Sequence, residues 1–421
     1  MTTSHPTIQT EPELGQCRLC GEPLRRTFVN LGMSPLCESY VSAEQLNHME
    51  PFYPLHAFVC EKCLLVQVGD YVTADHIYSE YAYFSSYSDS WLRHAREYVD
   101  MITERFRLGP QHFVIELASN DGYLLQNFVN KSISVLGIDP AANIAPHAIK
   151  RGVPTLVRFF GVETARELLA QGKQADLLIG NNVLPHVPAL NDFVAGMKLL
   201  LKPGGVITME FPHLWRLIES NQFDTIYHEH FSYFSFLTAE KAFARHGLTM
   251  FDVEELTTHG GSLRIYARHA NDDSKVTTAR VAELRRREQE LGFESLDTYN
   301  AFEGQVKETK RKLLEFLIAT RRAGKSVAGY GAAGKGNTLL NYCGIRTDFL
   351  DYTVDRNPYK QGKFLPGTHI PIYAPEEIAQ TRPDFVLILP WNLKDEIVKQ
   401  LAYIRDWGGK FVVPIPQVEI I

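Results

Sequence analysis

From residue 113 onward the chain alternates short apolar runs with longer amphipathic ones. FVIELA (113–118), SVLGID (134–139), DLLIGNN (176–182) and VITMEF (206–211) are apolar runs of strand length, rich in branched residues. SNDGYLLQNF follows the first as a polar turn leading into a helix, and the helical DFVAGMKLLL precedes the last. This strand–helix alternation predicts a parallel, doubly wound α/β sheet. FSFLTAEKAFARHG (234–247) predicts a helix stopped by Gly247, and LTMFDVEEL (248–256) and GSLRIYARHA (261–270) predict a closing antiparallel hairpin. A charged helical pair is expected over 276–323. SVAGYGAAGKGNTLLNY (326–342) then repeats the order of strand, Gly-rich turn and helix. DFLDYTVD ends a further strand at Asp355, and LILPWN (387–392) ends a later one.

Composition narrows the class. The chain has 421 residues, enough for two or three domains, with 45% hydrophobic and 22% charged positions, as in globular proteins. A net charge of -6 provides no basic footprint for nucleic acid. No apolar run is long enough to cross a bilayer, and MTTSHPTIQTEPELGQ at the start has no apolar core of a signal peptide. A cytoplasmic enzyme or binding protein is expected, with a monomer as the working state.

Four of the six cysteines form two C-x-x-C pairs, Cys17 and Cys20 in CRLC and Cys60 and Cys63 in CEKC. Two such knuckles supply the four thiolates of a structural zinc site, which leaves no open coordination position for catalysis. Two disulfides or four unrelated thiols are the alternatives, and a cytosolic compartment disfavours the first. The expected organisation is a zinc-binding domain over 1–70, a nucleotide-type Rossmann domain over 71–283 and a second Rossmann-like domain over 284–421. Cys37 and Cys343 are expected to be inert.

Ligands of doubly wound sheets bind at the carboxyl ends of the strands. There the chain places Glu116, the turn residues Asn120, Asp121 and Gly122, and then Asp139, a carboxylate able to accept both hydroxyls of a ribose. The turn ELASNDG is not G-x-G-x-x-G and carries no base, so it serves pyrophosphate poorly. A ligand with a ribose and a zwitterionic tail fits, which describes S-adenosylmethionine (SAM). LKPGG before the next strand agrees with a SAM-dependent methyltransferase.

YHEHFSYFS (227–235) lies just past this edge and crowds titratable and aromatic side chains together. Three readings are open: a metal pair in His228 and His230, stacked aromatics around hydrogen-bonded histidines, or acid–base catalysis, for which imidazole is suited. His186, in NNVLPHVP beside Asn181 and Asn182, supports the third. YSEYAYFSSYSDSW (78–91) reads either as a water-excluding lid or as an amphipathic helix. The Gly-rich turn around Lys335 can present N–H groups to a phosphate, of NAD or of another nucleotide.

Taken in order, CRLC…CEKC, YFSSYSDSW, ELASNDGYLL, NNVLPHVP, EFP…FDTIYHEHFSYFS and GYGAAGKGNT resemble the SAM-dependent C-methyltransferases of deoxysugar biosynthesis over nearly the whole chain. The resemblance implies a zinc-binding domain, a class I methyltransferase Rossmann domain and a C-terminal Rossmann-like domain. It implies methylation of the carbon beside the ketone of a dTDP-4-keto-deoxysugar, most often carbon 3. His230 would be the base. Tyr227, Glu229, His186 and Tyr81 would orient the sugar, polarise the ketone or shuttle the proton. Glu116, Asn120, Asp121, Gly122, Asp139 and Asn181 would hold SAM. Asn182, Gly331, Lys335, Asn337, Thr338 and Asp355 would hold the sugar nucleotide. Pro185 and Gly334 depart from the family's alanines, and Pro185 puts the placement of His186 at issue. An O- or N-methyltransferase is the competing activity. A degenerate SAM-binding scaffold and a hydrolase with metal on His228 and His230 rank lower.

Overall fold

A computed structural model describes residues 15–78 and 84–421. The central sheet is β1 (Phe113–Leu117), β2 (Ser134–Asp139), β3 (Thr155–Val157), β4 (Ala175–Asn181), β5 (Leu201–Pro212), β6 (Leu248–Leu256) and β7 (Ser262–His269). Their order in space is β6-β7-β5-β4-β1-β2-β3. The first five strands are parallel, and β7 inserts antiparallel between β5 and β6. Val114, Ile115 and Leu117 are buried, as an unbroken apolar run requires when helices cover both faces. The predicted helix over 234–247 spans Phe236–Ala244, with Ser235 Oγ accepting from Thr238 N at 3.1 Å.

The region over 276–323 contains Ala279–Glu290, a short Leu296–Asn300 and Phe302–Arg322, one more helix than the pattern predicted. The expected domain boundary at 283/284 falls inside the first of these. That helix packs back on the central unit, where Glu288 accepts from Phe236 N at 2.7 Å and Leu237 N at 2.9 Å. Of the segment 78–91, Ser85–Tyr87 is a single helical turn and a helix starts at Asp89, capped by Ser88. Residues 79–83, including Tyr81, lie outside the described residues.

The C-terminal sheet runs Ile372–Tyr373, Thr353–Val354, Val327–Tyr330, Phe385–Ile388 and Lys410–Val413, all parallel, with Glu419–Ile420 as an antiparallel edge. One hydrophobic cluster runs through all three parts of the chain, from Cys17 to Ile415. Phe28 of the N-terminal part stacks on Phe302 with centroids 4.6 Å apart.

The N-terminal sheet has strands Arg26–Ser34, Tyr53–Val59 and Val66–Val68, all antiparallel. Its fourth strand, Ser232–Tyr233, comes from YHEHFSYFS, pairing Val66 with Tyr233 and Gln67 with Ser232. Beside it the four cysteine sulfurs lie within 4.8 Å of one another, with Cys17–Cys63 and Cys20–Cys60 each at 3.5 Å. A tetrahedral zinc with Zn–S near 2.3 Å needs S···S edges of about 3.8 Å, so these sulfurs fit the ion. Gly21 takes φ +79° in the turn closing the first knuckle, a conformation that suits glycine. The chain should therefore carry ~1 zinc, measurable by plasma emission. Cys60→Ser should lose it and, because the YHEH loop is a strand of the same sheet, lose methyl transfer too. A metal-free wild type purified without chelator would contradict the assignment.

Candidate active site

At the carboxyl ends of β1 and β2 the backbone is bent for a purpose other than regular structure. Ala118 and Asn120 have φ of +55° and +48°, left-handed values that cost non-glycine residues energy. Gly122 is at +77°, and a Cβ there would sit 3.2 Å from Ala148 and Val153. The bend buries Glu116, whose carboxylate oxygens have no protein partner. Burial, then the charges of Asp139 and Asp121, push the Glu116 pKa well above the carboxylate range. Asp139 is held by N–H donors from Asn120 and Ala141, each 2.9 Å away, and burial raises its pKa against their pull. Asp121 pairs with Arg151 at 2.8 Å. On β4, Asn181 is buried with both side-chain polar atoms unpartnered.

Unpartnered buried polar groups cost roughly 1–3 kcal/mol each. A cationic, hydroxyl-bearing ligand relieves that cost, and a pyrophosphate would add to it. The donor set therefore fits SAM: carboxylates for the cationic amino-acid end and the ribose, amide groups for the remainder.

The YHEH segment follows the helical turn Phe223–Thr225. His230 Nδ1 lies 2.9 Å from Thr225 O. A carbonyl can only accept, so Nδ1 carries the proton and Nε2 keeps its lone pair. The same logic settles His186. Tyr78 donates its proton to Glu229 O at 2.9 Å, so His186 Nδ1, also 2.9 Å from the phenol oxygen, must donate to it. Both imidazoles thus leave Nε2 free. Their rings meet edge to face at 4.6 Å, and Tyr227 lies 4.1 Å from His230. Burial lowers the His186 pKa to about 4, with His259 adding to the effect, and holds His230 well below its ordinary value, with His186 adding there. Pro185, the departure near His186, accepts Phe231 N through its carbonyl at 2.8 Å, so it ties the two histidine segments together.

His228 turns away. Its Nε2 is 3.2 Å from Pro54 O and its ring meets Tyr53 at 5.9 Å, so the two histidines of H-x-H are held on different sides. Cys37, expected to be inert, is at the site: its thiol donates to Glu229 Oε1 at 3.5 Å. Asn182, at φ +55°, lies 3.0 Å from His259 Nε2 through its Nδ2, and His259 is itself at +53°.

The C-terminal candidates divide. Gly331, at φ +96°, packs so closely on Pro390 that a Cβ would meet it at 2.5 Å. Asp355 accepts from Ala332 N at 2.7 Å and Asn357 N at 2.8 Å, so its carboxylate braces the Gly-rich turn from within. Thr338 donates to Ile226 O at 3.2 Å, and Asn337 is buried with its Oδ1 on Asn341. Only Lys335 reaches toward the histidines. Its Nζ donates to Asn392 Oδ1 at 2.9 Å and lies 4.9 Å from the Trp391 ring centre. Trp391 Nε1 donates to Asp224 Oδ2 at 2.7 Å. Tyr78, Thr225, Asp224, His259, Trp391 and Asn392 were not singled out as site residues from sequence. Asp224 and Thr225 lie just ahead of YHEH, with Ile226 between, and Trp391 and Asn392 end the apolar run LILPWN; these positions are the signal that pointed to them.

A cavity of about 490 Å³ lies elsewhere, walled by Glu97, Glu254, Arg264, Arg280 and Arg287 among others, and contains none of the site histidines.

Residues 257–416 match the model of the C-methyltransferase C-terminal domain, 17–78 a zinc binding domain and 91–253 a methyltransferase domain. The C-methyltransferase NovU of Streptomyces niveus is 36% identical over 408 residues, 97% of each chain. The chain belongs to this C-methyltransferase family. A ubiquinone biosynthesis O-methyltransferase from Chelativorans sp. is 31% identical over 98 residues, covering 22% of this chain and 38% of that protein. Magnesium protoporphyrin IX methyltransferase from Synechocystis PCC 6803 with bound SAM superposes at TM-score 0.32, with 14% identity over 42% of this chain and 78% of that one. The C-methyltransferase described here is a SAM-dependent enzyme with structural zinc, and no helix among its described residues is long and apolar enough to cross a membrane.

Its buried neutral histidines make stability depend on pH with a definite sign. The folded pKa of His186, about 4, lies below the ordinary 6.5, so the unfolded chain binds more protons between those values. The stability His186 contributes is therefore present above pH 6.5 and lost as pH falls toward 4. The stability gap between wild type and His186→Asn should close by about 2 kcal/mol from pH 7 to pH 5. A pH-independent gap in thermal or denaturant melts would contradict the burial of this imidazole.

Proposed function

We propose that the enzyme methylates carbon 3 of a dTDP-4-keto-deoxysugar in deoxysugar biosynthesis, in the cytoplasm, through an enolate formed by general-base catalysis. The observation that carries the reading is the pair of neutral imidazoles, His230 and His186, each with Nδ1 engaged and Nε2 free. A sugar carbon is not nucleophilic until deprotonated, and a neighbouring ketone acidifies its C–H by taking the charge onto oxygen. His230 Nε2 removes that proton. Its Nδ1–H, hydrogen-bonded to Thr225 O, stabilises the imidazolium that results. Tyr227, its ring tilted against His230, orients the sugar, and His186, Glu229 and Tyr81 polarise the ketone or relay the proton.

SAM, when bound, supplies an electrophilic methyl group on a sulfonium. Glu116, Asp121 and Asp139 hold that ligand at the strand ends, and Asn182 and Lys335 meet the sugar portion of the nucleotide. The family match over nearly the full length supports C-methylation over O- or N-methylation.

The test is mass spectrometry of dTDP-4-keto-6-deoxyhexoses incubated in D₂O, with and without SAM. Added methyl mass with SAM, and deuterium on carbon without it, are the expected results. His230→Asn should keep dTDP and SAM binding and lose roughly 10²- to 10⁴-fold in turnover. Near wild-type turnover in that variant would end the base assignment, and methyl found on oxygen by NMR would end the carbon-3 reading.

A further inference from the structure

The sequence places Lys335 in a Gly-rich turn where a phosphate would be expected, but the surroundings of that turn are acidic. Asp355 takes Ala332 N, and Lys360 is occupied by Ala332 O at 2.9 Å and Glu38 at 3.4 Å. A Cβ on Gly334 would meet Cys37 Sγ at 2.9 Å and Glu38 Oε1 at 3.5 Å, so the N-terminal domain covers the start of the helix. Two carboxylates and a thiol at this turn disfavour an anion.

The Lys335 ammonium instead points the other way, into the space shared with the histidines. Asn392 takes one of its three N–H donors, the Trp391 ring lies beneath it, and Asp224 faces it with Oδ1 buried and unpartnered. The side chains whose charge bears on His230 are His186, His259 and Lys335; the two histidines are lowered to about 4, and Lys335 is the one amine of the set. Burial lowers the Lys335 pKa, and Asp224 opposes that.

We propose that Lys335 is a catalytic residue: it donates a hydrogen bond to the ketone oxygen of the substrate and stabilises that oxygen as it becomes an enolate, with Asp224, Trp391 and Asn392 positioning it. This rests on the ketosugar reading above. The α-carbon proton passes to His230, the C–H electron pair becomes the enolate π bond, and the carbonyl π pair moves onto oxygen beside the ammonium. The carbanionic carbon then bonds the methyl as the sulfonium C–S bond breaks, which restores the C=O. Lys335 keeps its own protons throughout. A fixed cation where charge develops, walled by an indole rather than by water, contributes more than it would in solvent.

The experiment compares wild type, Lys335→Met and Lys335→Arg for α-proton exchange in D₂O, kcat, KM and dTDP affinity by calorimetry. For Lys335→Met, exchange and kcat should fall about 10²- to 10³-fold, with the dTDP Kd essentially unchanged. Lys335→Arg, which keeps the charge should the methionine variant fail to fold, should show the same split to a smaller degree. Retained exchange and kcat at saturation with weakened dTDP binding would make Lys335 a phosphate ligand and overturn the proposal. A wild type that neither exchanges nor methylates any 4-ketosugar would overturn the substrate reading and this role together.

Discussion

Much of this molecule depends on one short strand pairing. Ser232–Tyr233, which ends the YHEH segment, is the edge strand of the zinc-stapled sheet and pairs with Val66 and Gln67. Arg18, inside the first cysteine knuckle, donates to Phe231 O and to Val68 O, so the knuckle and the histidine loop share one hydrogen-bonded joint. Gln67 extends it, giving Nε2 to Cys17 Sγ and accepting from Arg18 N. A small sheet of this kind is stabilised by metal, and through this joint that stability reaches the histidine loop.

The consequence is an imidazole pair with fixed tautomers. A catalytic base must have a free lone pair at working pH, and burial provides this by penalising the charged form. Both Nδ1 protons are committed, one to Thr225 O and one to Tyr78. What remains at each ring is an unprotonated Nε2. Desolvation, usually a cost, here sets the protonation state.

The site also draws on all three parts of the chain. Cys37 comes from the N-terminal part, the histidines from the middle, and Lys335 and Trp391 from the C-terminal part. Gly260 shows how tightly they meet: a Cβ there would lie 2.6 Å from Trp391. A continuous core through the three parts fits a site in which no part is complete alone.

Local pattern was enough for some of this and not for the rest. The apolar runs of β1, β2 and β4 are unbroken because both faces are buried, and that signal survives in sequence. So does the C-x-x-C spacing, because a knuckle is closed by the residues between its cysteines. The positions of Glu116 and Asp139 at strand ends were legible because they follow from local order. Pairing across the fold was not. Nothing local tells that Ser232–Tyr233 joins a strand more than a hundred and sixty residues earlier, that His228 leaves the site while His230 stays, or that Lys335 turns from its own Gly-rich turn toward Asp224. Those outcomes depend on which distant carbonyl, carboxylate or ring occupies the space around each side chain, and tertiary packing alone decides that.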